Sequence, residues 1–324
     1  MSNMKMTQIA RAAMLATAFT LTGLAGMPAH AAAPMAKFSA PGFYRTTLGE
    51  FEITALSDGT VDLPVDQLLQ EDPAKTRQAL KKQFLKTPLE SSVNAYLINT
   101  GSKLILIDAG AGSLFGPTLG KLRANLKASG YDAAQVDEIY LTHLHPDHVG
   151  GLAANSIAAF PNATIHADQR ESDYWLSQAN LEHAPAGMKG MFQGASASLT
   201  PYVAAHKYQP FSGNTDLAPG IKSIASYGHT AGHTSYVIES QGQKLVVIGD
   251  LIHVASVQLE NPLVTFGYDA DAKTAAGTRN RMFTEIAKEG DLVAAAHLQF
   301  PGLGHLKAGD KSYQWLPLNY TQAR

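Results

Sequence analysis

The chain contains no cysteine. No disulfide can staple it, no thiolate can act as a nucleophile, and any metal has to be held by histidine and carboxylate alone. Basic runs are missing as well. With 25 Lys and Arg against 27 Asp and Glu the formal net charge is -2, and no stretch is basic enough to track a phosphate backbone, which excludes nucleic acid as the expected partner. Charged residues are sparse at 16% and hydrophobic ones reach 45%, so 324 residues can bury one large core or two modest ones, and disorder is not expected. No apolar run makes a convincing membrane span. The longest, Ala12 to Met27, follows Lys5 and Arg11 and ends near Ala29-His30-Ala31, an A-x-A cleavage pattern. Residues 1–31 therefore read as a cleaved signal peptide, and residues 32–324 as a single domain destined for the periplasm or the exterior.

Histidine, by contrast, is concentrated. Leu141-Thr142-His143-Leu144-His145-Pro146-Asp147-His148 places three imidazoles and a carboxylate in six residues, directly after the strand-like run Glu138 to Leu141. Pro146 forbids continuation of a strand. His143 and His145, at i and i+2, can turn toward one ion, while Asp147 and His148 project to a neighbouring position. Nitrogen ligands with one hard oxygen suit zinc, and also manganese, cobalt or iron. A merely solvated polar turn is the alternative, and so dense a cluster argues against it.

Other segments read as support for this one. A strand is expected at Glu52 to Leu56, ended by the turn signal Ser57-Asp58-Gly59. Asp72-Pro73 opens a helix whose basic face reads as solvated. Strands follow at Val93 to Ile98 and Lys103 to Ile107, then a helix at Pro117 to Ala128. The spacing of Gly110, Gly112 and Gly116 misses the dinucleotide pattern, and Asp108, at a strand end, better suits a carboxylate that fixes the tautomer of a ligand histidine. Further on come a helix near Leu152 to Phe160, a strand at Ala163 to Ala167 and a helix at Asp168 to Gln178. His183 to Ser212 reads as a long functional loop. Strands at Ile221 to Ser226, Lys244 to Ile248 and Leu292 to Ala296 run into His229, Asp250 and His297. Strands alternating with helices argue an α/β fold, and metal-competent side chains at one sheet edge are what a rigid site requires.

The motifs H-L-H-P-D-H, G-H-T-A-G-H-T, I-G-D and a late A-H resemble the metallo-β-lactamase superfamily over nearly the whole chain after residue 31. The run Ala40 to Pro317, including Thr54 to Pro64, is similar to secreted methyl parathion hydrolases and their lactonase and arylesterase relatives. That resemblance implies a four-layer αββα sandwich and two divalent metal ions per chain, zinc in the first instance. It implies that His143, His145 and His229 hold one ion, that Asp147, His148 and His297 hold the other, and that Asp250 bridges them. It also implies a homodimer. Ala109 and Ala231 depart from the family pattern, but neither is a ligand position.

Two ions that share a carboxylate can acidify water toward neutral pH, so hydrolysis needs no side-chain base. The candidate catalytic residues are Asp147, Asp250 and His253, the last lying three residues past the bridging acid. His233 reads as a brace for its turn. Phe115, Trp175, Phe192, His253, Phe266 and Tyr268 are the expected substrate-pocket lining. A flat lactone or aryl ester slides between such rings more readily than a tetrahedral phosphotriester, so the expected partner is a small-molecule ester, first of all an aryl lactone such as dihydrocoumarin, with promiscuous organophosphate hydrolysis. The alternatives are a methyl parathion hydrolase and, in another class, a secreted metal-binding module without catalysis. Structural sites tend to close around one ion with four ligands, and seven candidate ligands favour the enzyme.

Overall fold

Period-two alternation along the strands decides how the chain is layered. The structure is a computed structural model and describes residues 40–320 together with Ala33 and Met35. The chain divides into two units, Met1–Ala40 and Pro41–Arg324, and the fold below is that of the second. The expected signal peptide, residues 1–31, lies outside the described residues.

A six-stranded sheet is built from β1 (Phe43–Leu48), β2 (Phe51–Leu63), β3 (Leu89–Asn99), β4 (Leu104–Ile107), β5 (Glu138–Tyr140) and, after a small hairpin of β6 (Ala153–Ala154) and β7 (Ile157–Ala158), β8 (Thr164–His166), bonded in that order. The second sheet runs in sequence through seven strands: β9 (Asp216–Ala218), β10 (Ile221–Ala225), β11 (Thr234–Ser240), β12 (Gln243–Val247), β13 (Leu292–Ala294), β14 (Leu303–Ala308) and β15 (Tyr313–Pro317). The helices are α1 (Val65–Leu68), α2 (Pro73–Lys82), α3 (Leu122–Ala128), α4 (Pro146–Val149), α5 (Gln169–Trp175), α6 (Gln178–His183), α7 (Ala186–Ala204), α8 (Ala255–Gln258) and α9 (Ala272–Glu289). Asp72 caps α2 by accepting the N–H of Ala74 at 2.9 Å, as its sequence predicts.

Alternate residues of β3 and β4 face opposite ways. Leu97, Leu104 and Leu106 pack outward against Leu122 and Leu126 of α3 and Phe192, Leu199 and Tyr202 of α7. Tyr96, Ile98, Ile105 and Ile107 point inward, where they meet Tyr236, Ile238, Leu245 and Val247 of the second sheet. That sheet's outer face, Val246 and Val293, is covered by Met282, Phe283 and Ile286 of α9. The result is the four-layer αββα sandwich. Burying one such isoleucine is worth about 1.5–3 kcal/mol, whereas an exposed pair such as Arg281–Glu285 at 3.4 Å is worth about 0–1 kcal/mol. The inter-sheet layer therefore dominates stability. Among the described residues no helix is long and apolar enough to cross a membrane.

Several local expectations fail for physical reasons. Ser57-Asp58-Gly59 does not end a strand: β2 continues to Leu63 through a bulge, where the register with β3 shifts between Ser57 and Gly59, and Gly59 takes φ +126°. The stretch 183–212 is no loop, because α7 occupies Ala186–Ala204. Its hydroxyls bond back into the helix, Ser198 Oγ to Gly194 O at 2.8 Å and Thr200 Oγ1 to Ser196 O at 2.7 Å, so they do not compete with it. The segment expected as a helix near Leu152 holds a short 3-10 turn and the β6–β7 hairpin. The helix expected from Pro117 starts only at Leu122, and the one expected over 168–178 ends at Trp175, with α6 starting afresh at Gln178.

Candidate metal centre

Each candidate ligand follows a strand. After β5 the chain turns through Thr142, His143, Leu144 and His145, and Pro146 then opens α4 at its first turn, which carries Asp147 and His148. His229 sits in the turn between β10 and β11, Asp250 in a 3-10 turn after β12, and His297 just beyond β13. Because β4, β5 and β8 run parallel in one sheet, and β12 and β13 in the other, these ends open on one side of the sandwich.

His143, His145, His229 and Asp250 offer ligand atoms within 4.8 Å of one another, and so do Asp147, His148 and His297. A third overlapping group is Asp250, His253 and His297. Asp250 joins them. Its Oδ2 lies 3.3 Å from His229 Nε2, 3.7 Å from His143 Nε2 and 3.1 Å from His297 Nε2, while its Oδ1 lies 3.2 Å from His148 Nε2. Asp147 Oδ2 is 3.5 Å from His297 Nε2 and 3.6 Å from His148 Nε2. All seven sequence-derived ligand candidates thus converge.

The donor set fits divalent cations. His143 Nε2, His148 Nε2 and Asp250 Oδ1 are buried without a hydrogen-bond partner, each an arrangement that costs about 1–3 kcal/mol unless something relieves it. Metal ligands must be deprotonated. Burial, followed by the charge of His148, pushes His143 well below the ordinary imidazole value, and burial followed by His229 does the same to His145. At His148, His229 and His297 burial works the same way, but the carboxylates, Asp250 first, outweigh it and raise the pKa, so an ion binding there displaces a proton. Burial opposes ionisation of Asp250, but the surrounding imidazoles, His148 and His297 first, outweigh it and hold the acid ionised.

Behind the rings stands a layer of partners that fix tautomers. Asp108 Oδ2 is 2.8 Å from His148 Nδ1, and the same carboxylate accepts the backbone N–H and hydroxyl of Thr142, each at 2.8 Å. Asp269 Oδ1 is 2.8 Å from His229 Nδ1, and His297 Nδ1 is 2.9 Å from the carbonyl of Ser92. His233 is not a ligand. Its Nδ1 is 2.8 Å from Ser226 Oγ, and its Nε2 accepts the N–H of Asp250 at 3.0 Å, so it braces the turn against the bridging acid. Burial pushes its pKa down to about 3, which keeps it neutral.

Glu171 and Asp269 were not anticipated from the sequence. Glu171 offers one signal, an acid four residues before Trp175 on the same buried helical face. Asp269 offers none, because its partners, His229 and the N–H of Phe266, are revealed only by folding.

The pocket candidates divide. Phe115, His253, Phe266 and Tyr268 line a chamber of about 210 Å³ over the ligands, with Val61, Leu63 and Met191. A second chamber of about 540 Å³ shares His145, Met191 and Tyr268 with the first and adds Tyr174, Trp175 and Met188. Phe192 lines neither. It is 1% exposed and packs behind Trp175, ring centroids 4.7 Å apart, so it belongs to the core. Nor do the rings near the metal site part to form a slot: His253 lies flat on Phe266, centroids 4.1 Å apart and planes 9° apart, making one continuous wall. Burial lowers the pKa of His253 to about 4 against the pull of Asp250, whose Oδ2 is 3.1 Å from its Nε2.

Fold and site together define a class, the metal-dependent hydrolases carried on an αββα sandwich. Residues 89–297 match the family model described as Metallo-beta-lactamase superfamily, and the chain belongs to that superfamily. A solved structure described as the hydrolase AbOPH in the beta lactamase superfamily is 39% identical, with a TM-score of 0.84 over 88% of this chain and 100% of that one. The dizinc quorum-quenching lactonase AidC, solved in complex with a product, is 27% identical, with a TM-score of 0.81 over 87% of this chain and 99% of that one. An N-acyl homoserine lactonase from Bacillus sp is 26% identical over 172 residues, 53% of this chain, and the match spans only 60% of that protein.

Proposed function

We propose that the protein is a dinuclear metal-dependent lactonase. The observation that carries the reading is Asp250, whose two carboxylate oxygens face different imidazoles, so that one acid can serve both ligand groups. His143, His145 and His229 would hold one divalent ion and Asp147, His148 and His297 the other. Zinc suits this donor set best, with manganese, cobalt or iron also accommodated. When bound, such ions supply Lewis acidity toward a carbonyl oxygen and acidify water near neutral pH.

The chain's own residues do the rest. Asp108, Asp269 and the carbonyl of Ser92 hold imidazole protons on the outer nitrogens, which leaves the inner ones free to bind. Neutral His253 stands at the chamber wall as a positioning group, its Nε2 3.1 Å from Asp250 Oδ2, and orients the bridging acid without supplying a proton. The adjoining chambers suit a substrate with a ring and one arm: a lactone ring over the ligands and an acyl or aryl arm along Tyr174, Trp175 and Met188. A phosphotriester must place three substituents around one centre and matches two lobes less well. The lactonase relatives support the same choice.

The test is kcat/KM on the metal-loaded protein for an N-acyl homoserine lactone, dihydrocoumarin, phenyl acetate and methyl parathion. The lactones are expected to lead. A lead for methyl parathion overturns the lactonase reading, and absence of turnover on all four supports a metal-binding module instead.

A further inference from the structure

Glu171 is a wholly buried carboxylate that none of the steps above uses. Among the described residues it has no ion-pair partner, and burial pushes its pKa up even though the Thr230 side chain and then the backbone N–H groups of Leu144 and Gly232 work the other way. Keeping such a group inside costs several kcal/mol unless it makes hydrogen bonds that nothing else can make. Glu171 makes two. Its Oε2 accepts the N–H of Leu144 at 2.9 Å, and its Oε1 accepts the N–H of Gly232 at 2.7 Å. Leu144 lies between His143 and His145, and Gly232 lies three residues past His229.

We propose that Glu171 is a positioning residue that ties the His143–His145 loop to the His229 turn and so sets the affinity of that half of the metal centre without touching an ion. The inference rests on the two-ion reading of the site. Gly232 supports it independently. A Cβ at position 232 would stand 2.8 Å from the backbone N of Glu171 and 3.0 Å from its Cγ, so the turn is seated directly on the first turn of α5. The same helix carries Trp175, whose ring meets that of His145 edge-on with centroids 5.2 Å apart. No hydrogen bond of Glu171 reaches Asp147, His148 or His297. The tie therefore acts on one half of the centre.

The experiment is uptake of cobalt and zinc by the full chain, read from visible absorption and from competition with a chromogenic chelator. The melting temperature of the metal-free protein is measured alongside. Wild type taking up two ions supports the two-ion reading; a single ion overturns that reading and the inference resting on it, whereas two ions in wild type with both affinities unchanged in the variants overturn the inference alone. Glu171→Gln removes an acceptor from one of the two N–H groups, and Gly232→Ala keeps both acceptors but lifts the turn off the helix. Each is expected to weaken one ion by about 10- to 100-fold and leave the other near its wild-type affinity, with Asp147→Ala weakening the opposite one. Equal loss of both ions in step with a lower metal-free melting temperature would mark Glu171 as merely structural. Unchanged affinities for both ions in Glu171→Gln and Gly232→Ala would also overturn the proposal. If Glu171→Gln does not fold, Gly232→Ala decides it alone.

Discussion

Asp269 Oδ1 lies 2.8 Å from His229 Nδ1, on the side of the ring away from Asp250. The acid is itself held. Its Oδ2 accepts the N–H of Phe266 at 2.8 Å, and the buried Arg279 stands 3.7 Å away, anchored on the carbonyls of Pro262 and Val264. This chain of contacts fixes which nitrogen of His229 carries the proton. Asp269→Asn keeps the shape, but its amide N–H₂ can face the ring N–H. It is expected to weaken metal binding about 10- to 100-fold, measured by zinc competition. Affinity equal to wild type would mean that the contact does not orient the ligand.

Removal of the metal should separate function from fold. The core between the sheets, with Ile53, Ile98 and Ile105, contains none of the ligand residues and is buried by apolar contacts alone. Dialysis against a chelator is expected to abolish turnover while circular dichroism stays native-like, and added zinc should restore activity at about two ions per chain. Asp250→Ala should take up less metal and lose most activity. Full activity with a single tightly bound ion would contradict the shared role of Asp250.

Trp175 is expected to matter more for stability than for substrate affinity. It is 3% exposed, with its ring 4.7 Å from Phe192 and 5.0 Å from Tyr174. Trp175→Ala should cost about 3–5 kcal/mol, read from urea denaturation, while Trp175→Phe should retain most of that stability. A raised KM for long-armed lactones in Trp175→Ala, with the denaturation midpoint unmoved, would make its place in the chamber wall, and not its packing, the dominant role.

Acid stability has a candidate group away from the metal site. Thr87 Oγ1 donates to Asp66 Oδ1 at 2.7 Å and Arg77 Nη1 to Oδ2 at 2.8 Å, and together they hold the carboxyl below its usual value. A depressed folded-state pKa contributes stability above the unfolded value, near 3.9, and that contribution is lost as pH falls through the folded one. Asp66→Asn should therefore be less stable than wild type at pH 7, and the gap should close as pH drops below about 4. Urea midpoints at several pH values test this. A gap that widens in acid would reverse the sign.

The convergence of His143, His145, His148, His229 and His297 was legible because ligands at strand ends announce themselves through local spacing. Asp108 was legible for the same reason, being the polar residue at the end of an apolar strand. What escaped were interactions that exist only after folding. Glu171 reaches two backbone N–H groups, one 27 and one 61 residues away in sequence, and no local pattern encodes that. The misreading of α7 had a different source. Its glycines and serines read as loop punctuation, although Phe192, Ala195, Leu199 and Tyr202 already recur at helical spacing and form its buried face. The rings expected to form a slot were right in kind, but stacking of His253 on Phe266 depends on side-chain directions that spacing does not carry.

Asp58 provides the last expectation, because the turn signal that it seemed to carry hides a different task. From the bulge in β2 its Oδ2 accepts the N–H groups of Ala111 and Gly120 and its Oδ1 that of Leu122, each at 2.9 Å. One buried carboxylate thus gathers the loop that carries Phe115 to the chamber wall and starts α3. Each buried N–H left without a partner costs about 1–3 kcal/mol, so Asp58→Ala is expected to lose at least about 3 kcal/mol. Asp58→Asn, which keeps one oxygen, should lose less and fold. In that variant Phe115 is less firmly held, and KM for lactones should rise more than kcat falls. A denaturation midpoint for Asp58→Ala equal to wild type would show that water replaces the carboxylate at no cost, and that the loop does not depend on it.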